Sequence, residues 1–381
     1  QRVSPFSLLN QLYTQLYTVG LLCIFKTKIY HNFVTYIKVP ISYMPKIKPK
    51  VIGLFSGCGG LDYGFKQAGF KIVYANDILK NVKETYEFNL KHNIDINCIT
   101  NVDKTNIPHG DVILAGIPCQ PFSNAGNRKS TKDKDGNLFL EVIDLIKKQS
   151  NPPKVVIFEN VRGFLSSRDN SDVLLTERFS QEMDDIGYAT KFKLLNAADF
   201  GVPSNRHRVF IVCIHKSIKK EYIFPSKISA PAITVGDVIS KPVLDDEKTE
   251  IWDLPPSSKK IVKYIKEGGS WKDVPYAKLS ARHQRIRDNM KRYKSPNFYR
   301  RFSRNEIMGT VTATSSPENS GIIHPLEDRR YSVREIARFQ SFPDKFKFIG
   351  TSVAHKYKMI GNAVPPALAK EVAKSILKQF F

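Results

Sequence analysis

Residues 51–65 read VIGLFSGCGGLDYGF, and this stretch decides the fold. The apolar run 51–55 predicts a buried strand, residues 56–60 predict a glycine turn, and the apolar spacing after it predicts a helix. Glycines let a backbone turn tightly and approach a ligand without Cβ atoms in the way. Strand, glycine turn and helix in this order open a nucleotide-binding α/β unit. The turn lacks both GxGxxG and the GKS or GKT of a P-loop, and a tight connection without a ligand stays an alternative.

Further apolar runs predict strands at 71–75, 111–116, 154–158 and 209–214. Asp77 follows the first of them, about 20 residues after the glycine turn, where a carboxylate can meet ribose hydroxyls. Cys119 follows the second, within the segment IPCQPFS. Open α/β sheets place their active sites at such carboxyl ends, although a buried structural cysteine is the better explanation of Cys119 when it is considered alone.

Charged residues border the later strands. Glu159 follows the strand 154–158 and is, by itself, as compatible with a helix cap or a surface acid as with chemistry. Arg206 and Arg208 precede the strand 209–214 and share one face of an extended segment, because side chains alternate along it. By themselves, the two arginines suggest only anion binding.

The net charge points to an anionic partner. Lys and Arg number 59 against 36 Asp and Glu, which gives +23, and nucleic acid is the first candidate. A solvated basic surface is the alternative. The polar and basic residues 124–137 predict a mobile lid over an anionic backbone. Composition, with 41% hydrophobic and 25% charged residues, excludes wholesale disorder, a collagen-like fibre and a multi-span membrane protein.

Cysteine usage argues against a disulfide framework and a zinc ribbon. The chain has 5 cysteines, an odd number, and none shows CxxC spacing. We therefore expect a reducing compartment and no metal. No continuous apolar run reaches the roughly 18 residues that a membrane span needs, so we expect no membrane partner.

Six motifs, in order from about residue 50 onward, resemble those of the DNA cytosine-5 methyltransferases. They are FSGCGG at 55–60, PCQPFS at 118–123, ENV at 159–161, RHR at 206–208, REIARFQSFPD at 334–344 and GNAVPP at 361–366. The resemblance implies an α/β S-adenosylmethionine-dependent methyltransferase fold, a Rossmann-like mixed sheet with helices on both faces. It also implies a smaller, irregular target-recognition domain.

The resemblance implies a catalytic set of Cys119, Glu159, Arg206 and Arg208. A thiolate that adds to C6 of cytosine makes C5 nucleophilic, which suits Cys119. Glu159, protonated through a raised pKa, would stabilise charge at N3, and Arg208, helped by Arg206, would hold the base carbonyl. The target atom is stacked inside the duplex, so the base must be flipped out.

The cofactor implied is S-adenosylmethionine, without metal. Asp77 would bind the ribose hydroxyls and Ile78 would pack on the adenine. The full expected cofactor set is Phe55, Ser56, Gly57, Cys58, Gly59, Gly60, Leu61, Asp77, Ile78, Pro118, Leu138, Asn362 and Ala363.

Three positions depart from the family pattern. Cys98 stands where an acid usually binds the adenine amino group, so that contact is unassigned. Ser204 replaces a glutamine before the two arginines, and an arginine is missing from residues 135–139. We expect the second and third departures to slow turnover at most.

The domain boundaries follow from the motifs. Residues 44–214 and 322–381 are expected to form one discontinuous catalytic and cofactor-binding domain, with residues 215–321 as the target-recognition domain. Residues 1–43 are expected to be a dispensable extension. Ser332 is expected to cap a helix, whose Glu335 and Arg338 stabilise the junction between domains. The expected DNA contacts are Ser123, Arg128, Lys129, Arg282, Arg285, Arg287, Arg300 and Arg301.

The sequence therefore predicts an enzyme that methylates C5 of cytosine in a short duplex DNA site. We expect a monomer in a prokaryotic cytoplasm, associated with the nucleoid through DNA and paired with a restriction endonuclease. The alternatives are an RNA (tRNA) cytosine-5 methyltransferase and a catalytically silent DNA-binding protein on the same fold. A nucleotide-dependent oxidoreductase is poorly supported, because it leaves the motifs around Cys119 and the arginines unexplained.

Overall fold

A mixed sheet of six strands lies at the centre of the described chain. The computed structural model describes residues 48–118, 138–169, 171–243, 250–289, 297–318 and 320–381. The strands, in the spatial order β2-β1-β3-β4-β6-β5, are β1 Lys50–Leu54, β2 Lys71–Asn76, β3 Val112–Ala115, β4 Val155–Val161, β5 Tyr188–Asn196 and β6 His207–His215. The expected strands are confirmed, whereas β5 was not predicted.

Strand direction determines which residues meet. Strands β1 to β4 are parallel, and the register aligns Leu54 with Ala115 and Ala115 with Phe158. Strand β6 runs antiparallel to β4, so that Val161 at the end of β4 pairs with Arg208 near the start of β6. The carboxyl ends of the parallel strands and the beginning of β6 therefore share one edge of the sheet.

Helices cover both faces of the sheet, as expected. The strand residues alternate between two apolar clusters, with Val51 in one and Ile52 in the other. The helices of the described residues are α1 Gly60–Ala68, α2 Lys83–Leu90, α3 Leu138–Lys148, α4 Leu175–Asp185, α5 Val235–Ile239, α6 Pro256–Val262, α7 Ala281–Asp288, α8 Val333–Phe339, α9 Val353–Asn362 and α10 Pro366–Phe380. Helices α1 and α10 contribute to the first cluster, and α3 and α4 to the second.

Helices α1 and α10 pack closely because α1 carries a glycine at their contact. A Cβ atom on Gly64 would lie 2.4 Å from Cβ of Ala369 and 2.8 Å from the carbonyl oxygen of Pro366. Helix α1 begins after Gly59, whose φ of 90° favours glycine. The first helix and α10 therefore form one layer over β1.

Two features lie within and just after residues 215–321. A third apolar cluster, which includes Trp271, Val274 and Phe298, is separate from the two on the sheet. Ser332 caps α8 in a capping box with Glu335, which confirms the expected helix start. The division of the chain into a catalytic domain and residues 215–321 stays a prediction. No helix of the described residues is long and apolar enough to cross a membrane.

Candidate active site

The glycine turn lies at the carboxyl end of β1. Phe55 and Gly57 both have positive φ angles, 55° and 54°. A Cβ atom built on Gly57 would meet nothing within 4 Å, so this part of the turn faces open space. The turn is attached to β2 because the Ser56 amide donates a hydrogen bond to the carbonyl of Asn76 at 3.0 Å. An exposed backbone in this conformation suits a ligand that approaches closely.

Asp77 holds the turn in place. Its Oδ2 accepts a hydrogen bond from the Gly57 amide at 2.7 Å, and its Oδ1 accepts one from the Leu79 amide at 2.8 Å. Burial raises the pKa of the Asp77 carboxyl, while these backbone amides act in the opposite direction. The neighbouring Ile78 side chain is 62% exposed. An exposed apolar side chain beside this carboxylate offers a surface on which a flat ring can pack.

The segment after α9 forms the other side of the turn. A Cβ on Gly60 would lie 2.3 Å from the carbonyl oxygen of Val364 and 3.2 Å from Cβ of Ala363. Asn362 is exposed beside it. Residues from two distant parts of the sequence, both in the expected cofactor set, thus lie together.

Cys58 lies in the turn, but its side chain belongs to the core. The thiol is buried and donates to the carbonyl of Met359 at 3.7 Å. Burial raises the pKa of the Cys58 thiol to about 12, so the thiolate is disfavoured. Only the main chain of Cys58 can therefore contribute to the expected cofactor set.

Glu159 and Arg208 form the charged part of the site. The Nε atom of Arg208 lies 2.8 Å from Oε1 of Glu159, and the two side chains are 14% and 11% exposed. Burial raises the pKa of the Glu159 carboxyl, and the positive charges of Arg208 and Arg206 oppose this rise. Because burial favours the neutral carboxyl and the two arginines favour the carboxylate, Glu159 can hold or give up a proton.

The structure corrects the role expected of Arg206. Its side chain is fully buried, and Nη1 donates to the carbonyl of Val311 at 2.7 Å, while Nη2 donates to the carbonyl of Gly361 at 2.8 Å. The guanidinium is thus directed at the protein's own main chain. These main-chain contacts make Arg206 a positioning residue in this structure.

Cys119 lies outside the described residues, as do Ser123, Arg128 and Lys129, and their expected roles stay predictions. The described chain stops at Pro118, which is exposed and follows β3 by three residues. It resumes at Leu138, where α3 begins. Among the residues that the structure describes, no group of three or more His, Cys, Asp or Glu could hold a metal ion.

Two of the sequence departures have local explanations. Ser204 is buried and donates its hydroxyl to the carbonyl of Gly309 at 2.8 Å, so its short side chain serves the packing of this segment. Cys98 is half-buried, with Sγ 3.0 Å from the hydroxyl of Thr100. The missing adenine contact stays unassigned.

A buried acid under the turn was missed by the sequence reasoning. Asp62 in α1 is 1% exposed, and its Oδ2 accepts a hydrogen bond from the Tyr86 hydroxyl of α2 at 2.7 Å. Burial raises the pKa of the Asp62 carboxyl, and the Tyr86 hydrogen bond opposes this effect. The available signal was a single acid at a position of α1 that is otherwise surrounded by apolar residues and glycine.

The arginines expected to bind DNA have different surroundings. Arg301 is corrected to a structural residue, because it is 4% exposed and donates to the carbonyls of His324, Glu327 and Val262. Arg282 forms a bidentate ion pair with Glu318. Nη2 of Arg300 lies 2.5 Å from Oε1 of Glu306.

Two arginines of α7 complete the expected set. Arg287 donates to the carbonyl of Val274 at 2.7 Å, which holds α7 to the segment before it. Arg285 is exposed on α7, with Nε 3.4 Å from the carbonyl of Ala281. DNA contact by Arg282, Arg285, Arg287 and Arg300 stays a prediction.

The sheet, the glycine turn with its carboxylate, and the edge that carries Glu159 define a methyltransferase fold, and solved structures agree. The chain is similar to a DNA modification methyltransferase encoded within an E. coli prophage, with a TM-score of 0.62 and 22% identity over 87% of this chain and 99% of that one. It is also similar to a DNMT2 variant from Spodoptera frugiperda, with a TM-score of 0.63 and 19% identity over 87% of this chain and 100% of that one.

Sequence comparison identifies the family. A sequence model of the C-5 cytosine-specific DNA methylases matches residues 49–378. The Type II methyltransferase M.NgoFVII of Neisseria gonorrhoeae is 34% identical over 87% of this chain and 87% of its own. The Type II methyltransferase M.MthTI of Methanothermobacter thermautotrophicus is 35% identical over 86% and 97%. The chain belongs to the C-5 cytosine-specific DNA methylase family, and the expected enzyme class, a DNA cytosine-5 methyltransferase, is confirmed.

Proposed function

We propose that this protein transfers a methyl group from S-adenosylmethionine to C5 of cytosine within a specific sequence of duplex DNA. The observation that carries the proposal is the Glu159–Arg208 pair at the sheet edge where the glycine turn also lies. The chain passes from β3 at this edge to Pro118, the residue before Cys119.

The residues around the glycine turn fit the cofactor. The turn has an open face at Gly57, an exposed apolar side chain at Ile78 and a fixed carboxylate at Asp77. Each carboxylate oxygen of Asp77 accepts one backbone amide and retains capacity to accept from a ribose hydroxyl. When bound, S-adenosylmethionine would supply an electrophilic methyl group, because C5 provides the electron pair of the new C–C bond and the pair of the broken S–C bond stays on sulfur.

The protein's own residues then act on the base. The Cys119 thiolate adds to C6, and the electron pair of the C5–C6 double bond becomes available at C5. Protonated Glu159 donates to N3, and Arg208 stabilises the carbonyl and the Glu159 side chain. After methylation a base, which we take to be water, removes the C5 proton, the C5–C6 double bond forms again, and the S–C6 bond breaks to release the Cys119 thiolate. The proton at N3 returns to Glu159.

The location of C5 within the base stack determines how the DNA substrate must be bound. The attacked face of cytosine is covered in a duplex, so the target base must leave the helix before Cys119 can reach C6. The basic residues of the chain supply the attraction for DNA phosphates. The names of the Type II relatives support pairing with a restriction endonuclease in a prokaryotic cytoplasm.

Methyl transfer and covalent trapping test the proposal together. Purified protein with labelled S-adenosylmethionine is given a duplex DNA library or transfer RNA, and a second sample receives DNA that contains 5-fluorocytosine. We expect label in DNA and a cofactor-dependent adduct that Cys119→Ser abolishes while DNA binding persists. Label only in transfer RNA would favour the RNA enzyme, and DNA binding without label or adduct would favour the silent binder.

A further inference from the structure

The segment between α9 and α10 is held from two sides by buried side chains. One is Arg206, which donates to the carbonyls of Gly361 at 2.8 Å and Ala363 at 3.0 Å. The same guanidinium donates to the carbonyl of Val311, in the segment between α7 and α8. Arg206 therefore joins three separate parts of the chain through their main-chain oxygens.

Gln340, which follows α8, contacts the same segment independently. Its Nε2 donates to the carbonyl of Ile360 at 2.9 Å and to that of Ala363 at 3.3 Å. Its side chain is fully buried. The carbonyl of Ala363 thus accepts hydrogen bonds from two side chains that are far apart in sequence.

The held segment has no room to shift. A Cβ on Gly361 would lie 2.4 Å from the carbonyl oxygen of Thr312. On the other side, Gly60 of the glycine turn lies so close that its Cβ would be 2.3 Å from the carbonyl oxygen of Val364. A movement of residues 361–364 therefore has to displace the turn or the Thr312 segment.

We propose that Arg206 and Gln340 are positioning residues which fix Asn362 and Ala363 against the glycine turn and thereby set the affinity for the cofactor. This inference rests on the proposed function and extends it to two residues that do not touch the reacting base. Arg206 is fully buried, whereas Arg208 pairs with Glu159 at the site. The two neighbouring arginines thus have different tasks.

The geometry explains why an arginine is needed at position 206. A guanidinium spreads five N–H donors over a plane, so that it can reach the carbonyls of Val311, Gly361 and Ala363 at once. A lysine ammonium is a compact donor and cannot cover the same three oxygens. Arg206→Lys therefore keeps the positive charge but loses simultaneous hydrogen bonds to these three carbonyls.

The test measures cofactor affinity directly. Titration calorimetry of S-adenosylhomocysteine with the DNA-free protein is compared for wild type, Arg206→Lys and Gln340→Met. Arg338→Lys is the matched control, since Arg338 is also buried and donates to the carbonyls of Lys241 and Pro242. We expect Kd to rise on the order of tenfold for Arg206→Lys and several-fold for Gln340→Met, and to stay at the wild-type value for Arg338→Lys.

A kinetic readout separates positioning from chemistry. We expect kcat at saturating cofactor to stay within about threefold of wild type in Gln340→Met, with KM for S-adenosylmethionine raised. Unchanged cofactor affinity with a large loss of kcat in Arg206→Lys would overturn the proposal, and so would an equal rise of Kd in Arg338→Lys. If Arg206→Lys does not fold, Gln340→Met decides. Failure of the wild type to bind S-adenosylhomocysteine would instead overturn the proposed function.

Discussion

Arg208 reaches Glu159 across the antiparallel pairing of β6 and β4, and its Nε lies 2.8 Å from the carboxylate Oε1. The two residues are not directly opposite in the register, because Glu159 pairs with Phe210 and Arg208 with Val161. The guanidinium therefore extends along the edge of the sheet to reach the acid. This diagonal contact needs a long, planar side chain.

Arg208→Lys should lower kcat by about a hundredfold or more, because it removes a forked donor from the position where charge develops on the base. Single-turnover methyl transfer at saturating S-adenosylmethionine measures the effect. The control is Lys191→Ala, which breaks the exposed Lys191–Glu221 pair and should leave the rate unchanged. A kcat within threefold of wild type in Arg208→Lys would contradict the assignment.

Asp77→Asn should weaken S-adenosylhomocysteine binding on the order of tenfold. The two carboxylate oxygens accept the amides of Gly57 and Leu79, and an asparagine must direct an NH2 group at one of these donors. Calorimetry measures the affinity. Asp103→Asn is the control, since Asp103 also accepts a backbone amide, that of Thr105, but in an exposed cap. Equal affinities of Asp77→Asn and wild type would refute a role in shaping the turn.

Gly64→Ala should destabilise the fold by about 1–3 kcal/mol, because its methyl group would overlap Ala369 and the main chain of Pro366. Urea unfolding followed by circular dichroism gives the free energy of unfolding. Adding Ala369→Gly should restore only part of the loss, since the carbonyl of Pro366 still lies 2.8 Å from the new Cβ. No loss in the single variant would show that α1 and α10 separate easily.

Arg285→Gln should weaken DNA binding and reduce the salt slope by about one unit, because Arg285 is exposed on α7 and able to reach a phosphate. Fluorescence anisotropy at several salt concentrations measures both quantities. Arg301→Gln should instead lower the free energy of unfolding, because Arg301 holds the carbonyls of His324, Glu327 and Val262. The interpretation fails if the salt slope responds to Arg301 and not to Arg285.

His324 should make stability depend on pH. Its ring is 4% exposed, and burial together with Arg329 lowers the pKa of the imidazole from 6.5 to about 4. The unfolded chain then binds the proton more readily, so stability is complete above about pH 6.5 and is lost as the pH falls towards 4.

Between pH 7.5 and 5, His324 should account for a loss of about 2 kcal/mol in the free energy of unfolding. Urea unfolding of wild type and His324→Asn measures it. Asparagine can still accept the Leu326 amide that now bonds Nδ1. The nearby Glu327 and Glu335 have lowered carboxyl pKa values, so the stability that they contribute is lost only at more acidic pH. Identical pH slopes in the two proteins would contradict the prediction.

Much of the sheet was predictable from the sequence because strands buried on both faces are short apolar runs. Strands β1, β2, β3, β4 and β6 all show this pattern. Strand β5 does not, because most of its residues are only partly buried and Lys191 and Lys193 interrupt its apolar residues. The structure, and not the composition of β5, therefore shows that β5 pairs with β6.

The site was predictable as a set of motifs, but the direction of individual side chains was not. Alternation placed Arg206 and Arg208 on one face, yet β6 begins at His207, so Arg206 lies before the strand and turns into the core. Arg301 likewise looks like a phosphate ligand in a basic sequence. An arginine satisfies main-chain oxygens as well as phosphate oxygens, and only the fold shows which of them it meets.

The contact between the glycine turn and α9, the helix before α10, has a consequence for biosynthesis. Cys58 and Met359 touch although 301 residues separate them in the chain. A ribosome therefore has to synthesise the chain through α10 before the layer over β1 can close. Until then, the apolar side of the sheet that α10 covers is exposed to chaperones and to aggregation. An incomplete chain therefore cannot yet catalyse methyl transfer.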